Sequence, residues 1–436
     1  MSENNWVKIS DVLSGEKTGE TVNIRGWIYR TRSSGGIVFT VIRDSTGIIQ
    51  ATIKKGNLPD KEFEDAERAG IESSVKIQGV VAEDPRAPGG YEIRVNKFEV
   101  VNFAEPFPIV KDQSPEFLLD QRHLWIRSRK LTSVFKIRST IIGAIHKFFR
   151  ERGFIEFEAP ILQPNQCEGG ATLFEVNYYG RKTYLSQTWQ LYAEAGIFAL
   201  EKIYNVGPTF RAERSKTSRH LSEFWMAEME AAWMDLYDVI DIAKEEIKFI
   251  LREVLEYHKP ELEYLQQDIG KLERIAESEF PTITYDEALE ILRTKEGMEV
   301  EWGKDLRTIE ENKLMKHFET PVVVTNYPLE IMAFYKPPDP KNPKTALCFD
   351  MIAPEGYGEI IGGSQRSLDI EYMRRRLEET GENVENYEWY FDLRRYGSVP
   401  HSGYGLGVER VVAWICHLDN IKDAIPFPRT VNRYKP

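Results

Sequence analysis

The chain has 436 residues, enough for two or three domains with separate hydrophobic cores. Its hydrophobic content of 42% and charged content of 29% indicate an ordinary soluble protein rather than a disordered or membrane one. No apolar run approaches the roughly 20 residues that a transmembrane helix needs, and the polar amino terminus does not resemble a signal peptide. Three distant cysteines without a CxxC pair argue against a structural zinc site and favour a reducing, cytoplasmic location.

The formal net charge of −12 argues against indiscriminate nucleic-acid binding. RNA affinity, however, depends on where Lys and Arg cluster, and the chain has local basic groups. They lie at Arg25, Arg30 and Arg32, along Arg211–Arg219, and at Arg429 and Arg433. The sequence is therefore compatible with an RNA partner of defined shape.

Residues 1–105 contain five short β patterns separated by turn signals. The patterns predict strands at Val22–Tyr29, Ile37–Arg43, Ile48–Ile53, Val75–Val81 and Tyr91–Val101, with a helix at Asp60–Ala69. Five strands with a helix between the third and fourth is the order of an OB-fold barrel, although a generic small β barrel gives a similar pattern. A proline-containing linker or hinge is predicted over residues 106–130.

Residues 131–436 are predicted to form the second domain. An apolar stripe at spacings of three and four predicts a helix over Val134–Arg150, and a strand is predicted over Phe154–Pro160. A further helical pattern covers Asp235–Leu255, and the charged, less regular segment 262–318 predicts a helical insertion. The stripe on the first helix is larger than one helix needs, which favours a two-fold interface and a homodimer.

The most informative segment is Phe210–Glu230, FRAERSKTSRHLSEFWMAEME. It predicts an antiparallel hairpin whose long basic loop can hold a polyanion over one sheet face. A solvated charged loop is the alternative for this segment taken alone. A second segment, Pro400–Arg410, has three glycines leading into an apolar run, and Phe349–Arg366 has acidic residues among glycines. In the latter, Asp350 and Glu359 are predicted on adjacent strands, where they could hold Mg²⁺ against phosphates.

Together with Pro160 after the amphipathic helix, these segments resemble the three signature motifs of class II aminoacyl-tRNA synthetases, in the family's order. The resemblance implies an α+β protein: an N-terminal five-stranded OB-fold β barrel, followed by a class II catalytic domain with an antiparallel sheet flanked by helices. It also implies activation of an amino acid by ATP and transfer to tRNA, with Mg²⁺ as cofactor.

The family's motifs imply roles for individual residues. Arg211 and Arg410 would be catalytic, with Arg211 bridging the amino-acid carboxylate and the α-phosphate. Asp350 and Glu359 would be the metal ligands, although Gly362 stands where some relatives have a serine ligand. The implied ATP-binding residues are Arg211, Glu213, Arg219, His220, Phe224, Glu359 and Arg410.

The motifs narrow the resemblance to the aspartate/asparagine/lysine subgroup. The implied substrate residues are Glu168, Thr188, Gln190, Glu228 and Arg366. Aspartyl enzymes have a lysine where this chain has Ala193, and an aspartate where it has Glu228. A carboxylate without that cation disfavours aspartate, whereas Glu228 can accept a hydrogen bond from the amide of asparagine while Arg366 donates to its carbonyl. The whole chain is similar to archaeal-type asparaginyl-tRNA synthetases, which implies ATP, L-asparagine and tRNA(Asn) as partners and no membrane.

Three alternatives stay open. An aspartyl-tRNA synthetase is disfavoured by Ala193, and an asparagine synthetase-like paralogue on the same core would lack the anticodon domain. A purely RNA-binding or regulatory paralogue would be expected to lose Arg211, Arg410 or the acidic pair, and all are present.

In this subgroup the OB fold is the anticodon module. Phe39 and Gln50 match positions that stack on and hydrogen-bond the central anticodon uridine, and Arg30 and Arg32 flank them. The alternative is that Phe39 belongs to the barrel core, because Val38–Ile42 is largely apolar on both faces.

Overall fold

A computed structural model of the protein describes residues 5–167, 173–214 and 219–436. The chain divides into two compact units between Leu118 and Leu119. The strands of the described residues, β1 to β18, are Thr21–Ser34, Ile37–Arg43, Ile48–Lys54, Ser74–Glu83, Tyr91–Asn102, Ile155–Glu156, Leu162–Gln163, Glu175–Tyr178, Arg181–Leu185, Lys202–Phe210, Glu223–Ala232, Thr282–Thr284, Val322–Thr325, Pro338–Asp339, Asn342–Ala346, Cys348–Ala353, Gly358–Gln365 and His401–Gly407. The α-helices, α1 to α14, are Ile9–Leu13, Asp60–Arg68, Pro115–Asp120, Arg122–Trp125, Arg129–Glu151, Gln190–Leu200, Leu236–Tyr257, Lys259–Tyr264, Ile269–Glu277, Tyr285–Glu296, Thr308–Leu314, Ile370–Glu379, Glu388–Arg395 and Val408–Ile415.

The first unit is a closed barrel with strand order β1-β2-β3-β5-β4, and α2 lies between β3 and β4 in sequence, as predicted for an OB fold. Side chains alternate between the buried interior and the outer face along each strand, which gives one apolar core. At Gly26 a Cβ atom would lie 2.2 Å from the carbonyl oxygen of Arg43, so only glycine allows β1 and β2 to approach this closely. The five predicted strands are all present, and β1 runs five residues further than predicted because it continues to pair with β2 up to Ser34.

The second unit is built on an eight-stranded sheet with the order β12-β13-β16-β17-β18-β11-β10-β6. The six strands from β13 to β10 are antiparallel neighbours, as predicted. The two edge pairs, β12 with β13 and β10 with β6, are parallel, so the sheet is mixed rather than purely antiparallel. Both parallel pairs are joined by long connections that contain helices, as a parallel crossover requires.

The apolar stripe of α5 is buried against other helices of the same chain. Val134, Ile137, Ile141, Ile145 and Phe148 have no exposed surface, and α5 packs against α7, α8 and α14. This stripe therefore packs within the second unit, and the homodimer stays a prediction. The strand predicted over Phe154–Pro160 was too long, because β6 has only two residues, which pair with Ile203 and Tyr204.

The second half of the predicted linker, 106–130, belongs to the second unit. Arg122 on α4 is 1% exposed and its guanidinium donates to Asp423 Oδ1 at 2.9 Å. It also donates to the carbonyl oxygens of Lys422, Ile425 and Pro426 at 2.9, 2.9 and 2.8 Å. A buried guanidinium needs this many acceptors, and they fix the start of the unit to its carboxyl-terminal segment.

The predicted insertion, 262–318, contains α9, α10 and α11 and contributes β12 to the sheet edge. It packs around its own apolar cluster, which includes Tyr285, Leu292 and Leu314. In the described part of the chain, no helix is both long and apolar enough to cross a membrane.

Candidate active site

Two adjoining cavities lie against the eight-stranded sheet, and they share Arg211, Met226, Glu359 and Gly405. The first is lined by every residue predicted to bind ATP: Arg211, Glu213, Arg219, His220, Phe224, Glu359 and Arg410. The second is lined by the predicted substrate residues Thr188, Gln190, Glu228 and Arg366, and by the acidic pair Asp350 and Glu359. Glu168, also predicted to bind substrate, lies outside the described residues.

The hairpin of β10 and β11 positions Arg211 and Phe224. Phe224 pairs with Thr209 across the hairpin, and the Arg211 backbone N–H donates to the Ser222 carbonyl oxygen at 3.0 Å. The Arg211 guanidinium carbon lies 5.4 Å from the Phe224 ring centroid. Its Nε is buried with no hydrogen-bond partner among the described residues. The guanidinium lines both cavities, so this donor can bind a ligand there.

Arg219 is held by the insertion. Its guanidinium lies 3.4 Å from Glu311 Oε2 and donates to Asn312 Oδ1 at 2.8 Å, both on α11, and also to the Gly356 carbonyl oxygen. Burial and the nearby charge of Glu359 raise the pKa of Glu311 to about 7. Burial, followed by the charge of Arg410, lowers the pKa of His220. Near neutral pH His220 is therefore uncharged, and a partly protonated Glu311 offsets only part of the charge of Arg219.

Arg410 lies at the start of α14. It donates to the Glu359 carbonyl oxygen at 2.6 Å, and its guanidinium is 3.7 Å from the Glu359 carboxylate. The preceding Glu409 is buried, with its carboxylate 2.7 Å from Arg138 and accepting the Trp225 N–H at 2.9 Å. Glu409 thereby ties α14 to β11, so that Arg410 and Phe224 line the same cavity.

The acidic pair lies on neighbouring strands, β16 and β17. A Cβ atom on Gly362 would lie 2.7 Å from Glu359 Oε1 and 3.5 Å from Asp350 Oδ1, so the two carboxylates converge on one point. Burial raises the pKa of Asp350 well above its usual range, and the charge of Glu359 raises it further. Two converging carboxylates in a partly buried site have the ligand chemistry that Mg²⁺ prefers, and the residues present fit that ion.

Two glutamates on β11 organise the second cavity. Glu228 accepts hydrogen bonds from the Thr188 hydroxyl and from the Trp189 N–H, the latter at 3.0 Å. Glu230 accepts two hydrogen bonds from Arg366, at 2.9 and 2.8 Å. At Gly403 on β18 a Cβ atom would lie 2.1 Å from Glu230 Oε2, so the glycine leaves the space that this ion pair occupies.

Comparison with known proteins agrees with this geometry. Residues 114–431 match the model of class II tRNA synthetases (D, K and N), and residues 22–101 match that of OB-fold nucleic-acid-binding domains. An asparagine–tRNA ligase of Thermoplasma acidophilum is 47% identical over 99% of this chain and 100% of the relative. The crystal structure of asparaginyl-tRNA synthetase from Pyrococcus horikoshii with asparaginyl-adenylate, 47% identical, superposes with a TM-score of 0.95 over 100% of both chains. The chain belongs to the asparagine–tRNA ligases.

Membership in the asparagine–tRNA ligases makes the chain an aminoacyl-tRNA ligase. The fold by itself does not separate this family from its neighbours. An aspartyl-tRNA synthetase from Entamoeba histolytica, 26% identical, superposes with a TM-score of 0.87 over 100% of this chain and 94% of that one. The side chains around the second cavity therefore have to carry the choice of amino acid.

Several residues that line the second cavity were not predicted as site residues, among them Gln187, Glu230, Tyr335 and Lys336. Glu230 could have been found, because it is two residues from Glu228 and alternation places both on one face of β11. Tyr335 and Lys336 lie outside the named strands and helices, where no periodic pattern marks a position facing a cavity.

The predicted anticodon residues lie on the outer face of the barrel of this ligase. Phe39 is flanked by the buried residues Val38 and Thr40 and is only half-buried itself, and the Arg32 guanidinium carbon lies 4.8 Å from its ring centroid. Arg32 pairs with Phe39 across β1 and β2, and Phe39 pairs with Thr52 on β3. Phe39 is thus outside the barrel core.

A second row on the same face contains the other predicted pair. Arg30 pairs with Val41, which pairs with Gln50, which in turn pairs with Glu92 on β5. The Gln50 amide lies 3.3 Å from the Glu92 carboxylate, which also accepts a hydrogen bond from Thr52 at 2.5 Å. The two rows together form a platform with an aromatic ring, cations and amide groups.

Proposed function

We propose that the chain uses ATP to activate L-asparagine as asparaginyl-adenylate and then transfers the asparaginyl group to the 3′ end of tRNA(Asn). The observation that carries this proposal is the pair of adjoining cavities that meet at Arg211. One cavity has the aromatic and cationic groups that a nucleotide triphosphate requires. The other has the hydrogen-bonding groups that an amino acid with an amide side chain requires.

In the first step, an oxygen of the asparagine α-carboxylate attacks the α-phosphorus of ATP, and the bond to the leaving pyrophosphate breaks. Both reactants are anionic, so the protein has to align them and offset negative charge. Arg211, which faces both cavities with an unpartnered Nε, is suited to bridge the carboxylate and the α-phosphate. Phe224 and Arg410 would hold the adenine, with Glu213 near its amino group, and Arg219 and His220 would contact the outer phosphates.

In the second step, a hydroxyl of the terminal ribose of tRNA attacks the carbonyl carbon of the adenylate, and AMP leaves. No covalent bond to the protein is formed in either step. Asp350 and Glu359 would hold Mg²⁺, which when bound offsets the charge of the phosphates. Their convergence beside Gly362 supports this assignment.

The choice of asparagine follows from the charge of the second cavity. Glu228 can accept a hydrogen bond from the amide NH₂ group, and Arg366 can donate to the amide oxygen. Ala193 is fully buried among Trp189, Ile197, Ile203 and Ala232, so its position supplies no cation. A β-carboxylate would face the negative charge of Glu228, and position 193 supplies no cation to offset it, which disfavours aspartate.

The partner of the barrel is proposed to be the anticodon of tRNA(Asn). The exposed platform of Arg30, Arg32, Phe39 and Gln50 supports stacking and hydrogen bonding to an unpaired base. The OB-fold match over residues 22–101 supports the same assignment.

The protein is proposed to act in the cytoplasm as a homodimer. Ile155 on the edge strand β6 is 48% exposed, and Ile161 and Leu162, which follow it in the chain, are 43% and 38% exposed; these apolar side chains support the dimer. Sedimentation at micromolar concentration should show a dimer, whereas an active 50.5 kDa monomer would contradict this part of the proposal.

ATP–pyrophosphate exchange tests the proposed reaction. Exchange should be at least about a hundredfold faster with asparagine than with aspartate, since the wrong side chain leaves a buried polar group unpaired. Charging of tRNA(Asn) but not of tRNA(Asp) should follow the same preference. Equal exchange rates with the two amino acids would overturn the assignment of asparagine.

A further inference from the structure

A buried carboxylate behind the second cavity collects hydrogen bonds from three separate parts of the chain. Glu194 on α6 has no exposed surface. Its oxygens accept from Gln190 Nε2 at 3.1 Å, from the Tyr390 hydroxyl at 2.7 and 2.8 Å, from Arg394 at 2.6 Å and from His401 Nε2 at 2.8 Å. We call these five residues the Glu194 hub. A charge so far from water is tolerated only when it is paired and bonded in this way.

The hub also contains a buried histidine. His401 has no exposed surface, and its Nδ1 lies 2.8 Å from the Val399 carbonyl oxygen while its Nε2 lies 2.8 Å from a Glu194 oxygen. Burial acts to raise the pKa of Glu194, but the charge of Arg394 and then the hydrogen bond with His401 lower it below its usual range.

Protein cations, rather than a metal ion, balance these acids. Glu194, Glu230 and His401 have ligand atoms within 4.8 Å of one another, a spacing that a metal ion would accept. Arg394 is already bonded to Glu194, and Arg366 to Glu230. The guanidinium groups occupy the positions where a metal would have to bind these carboxylates.

The hub reaches the second cavity at two points. Gln190 lies one helical turn before Glu194 on α6, and it lines the cavity. Arg394 also donates through Nε to the Ser367 carbonyl oxygen at 3.0 Å, next to Arg366 in the chain. Glu194, Tyr390, Arg394 and His401 are absent from the described linings of both cavities. They can act on a bound amino acid only through Gln190 and Arg366.

We propose that Glu194 is a positioning residue for the amino-acid cavity: its hub fixes the side chain of Gln190 and the segment that carries Arg366. This inference rests on the proposed function, since it takes the second cavity to be the site of the amino acid. Loss of a hub bond frees Gln190 to adopt other rotamers, and the binding-competent one is then populated for only part of the time. The affinity for asparagine falls in proportion to the population of the binding-competent rotamer of Gln190, whereas the affinity for ATP is unaffected.

Tyr390→Phe is the mildest test, because it removes one donor to Glu194 and keeps the ring. In pyrophosphate exchange the KM for asparagine should rise about three- to tenfold, as expected for the partial loss of one hydrogen bond to a charged group. The KM for ATP should stay within about twofold of wild type. Tyr285→Phe is the control: Tyr285 is also fully buried, but its hydroxyl donates to the Lys304 carbonyl oxygen at 2.6 Å, and neither residue lines either cavity. Both KM values should be unchanged in the control.

The double variant Gln190→Ala/Tyr390→Phe shows whether the effect passes through Gln190. If it does, the double variant should have the same KM for asparagine as Gln190→Ala alone. If the two effects multiply, the route through Gln190 is overturned. Equal rises in both KM values, or no change in Tyr390→Phe, would overturn the positioning role itself. Failure of the proposed function looks different, because the wild-type protein itself would then show no exchange with asparagine.

Discussion

The guanidinium of Arg211 lies 5.4 Å from the ring centroid of Phe224, and its Nε is buried with no hydrogen-bond partner among the described residues. Most buried donors in proteins are satisfied, so a cation left open in this way marks a position for an anionic ligand. The carbonyl oxygen of Ser222 holds the backbone of Arg211 in place. The backbone of Arg211 is therefore fixed, while the Nε of its guanidinium remains available to bind a ligand.

Arg211→Ala should reduce the rate of pyrophosphate exchange by at least about a hundredfold, because the guanidinium stabilises charge that develops on the α-phosphate. Thermal stability should change little, since the Nε of Arg211 makes no hydrogen bond to lose. Arg211→Lys keeps the charge but loses the planar fork, and it should recover only a small part of the activity. Near-normal exchange by a folded Arg211→Ala protein would remove Arg211 from the catalytic machinery.

The sequence predicted the elements that periodicity controls. The barrel strands and α2 fall within a few residues of their predicted bounds, apart from the longer β1, because alternation and turn signals are local. The motif residues were placed by resemblance, and in the structure the described ones line two adjoining cavities. What the sequence did not predict depends on distant contacts: the parallel sheet edges, the burial of Arg122 and the assembly of the hub around Glu194.

Ala193 shows the same limit at the level of one residue. Motif comparison marked the missing lysine, but it could not say what surrounds the alanine. In the structure the position is closed by apolar side chains. The sequence shows that position 193 carries no cation. Only the fold shows that apolar side chains fill the space around it, and both features favour asparagine over aspartate.

Glu228→Gln should narrow the discrimination between asparagine and aspartate at least about tenfold in pyrophosphate exchange. Thr188 and Trp189 donate to different oxygens of Glu228, so the glutamine can keep the Trp189 N–H bond through its amide oxygen while its NH₂ group donates to the Thr188 hydroxyl. It no longer presents a negative charge to the β-carboxylate of aspartate. Glu223→Gln, on the same strand but outside both cavities, is the control and should leave the ratio unchanged. If the ratio of exchange rates with asparagine and aspartate is unaltered in Glu228→Gln, a group other than Glu228 distinguishes the two substrate side chains.

Gly403→Ala should impair asparagine binding and destabilise the catalytic unit. The new methyl group would lie 2.1 Å from Glu230 Oε2 and 2.8 Å from Arg366, so this buried ion pair has to move. Overpacking of this kind costs about 1–3 kcal/mol of unfolding free energy. Gly143→Ala on α5 is the control, because nothing lies within 4 Å of its Cβ position, and it should be neutral or slightly stabilising. Denaturant unfolding compares the two, and equal stabilities would contradict the crowding at Gly403.

Glu246 should make the stability of the catalytic unit depend on pH. Burial raises its pKa to about 8, although the Tyr404 hydroxyl, which donates to it at 2.6 Å, acts to lower it. The unfolded chain releases this proton near pH 4–5, whereas the folded protein keeps it up to about pH 8. The folded state therefore binds more protons across this window, so the contribution of Glu246 to the free energy of unfolding falls as the pH rises through it.

Glu246→Gln is neutral at every pH and should lack this slope. Between pH 5 and pH 8.5 the free energy of unfolding of the variant should rise by up to about 4 kcal/mol relative to that of the wild type, measured by urea unfolding at both values. Glu279→Gln changes a carboxylate that is 92% exposed, and it should follow the wild-type pH profile. Parallel profiles of wild type and Glu246→Gln would show that Glu246 is ionised in the folded protein.

Phe39→Ala should weaken aminoacylation of tRNA(Asn) by the roughly 1–3 kcal/mol typical of one base stack, and leave tRNA-independent pyrophosphate exchange unchanged. Because Phe39 is outside the barrel core, the domain should stay folded. Trp27→Ala is a matched control: Trp27 is also an aromatic residue on the outer face, and the Arg43 guanidinium carbon lies 5.0 Å from its ring, comparable to the 4.8 Å between Arg32 and Phe39. Trp27 is outside the proposed anticodon platform, so Trp27→Ala should charge tRNA normally. Equal losses in the two variants would mean that the barrel binds tRNA through dispersed contacts rather than through a stack on Phe39.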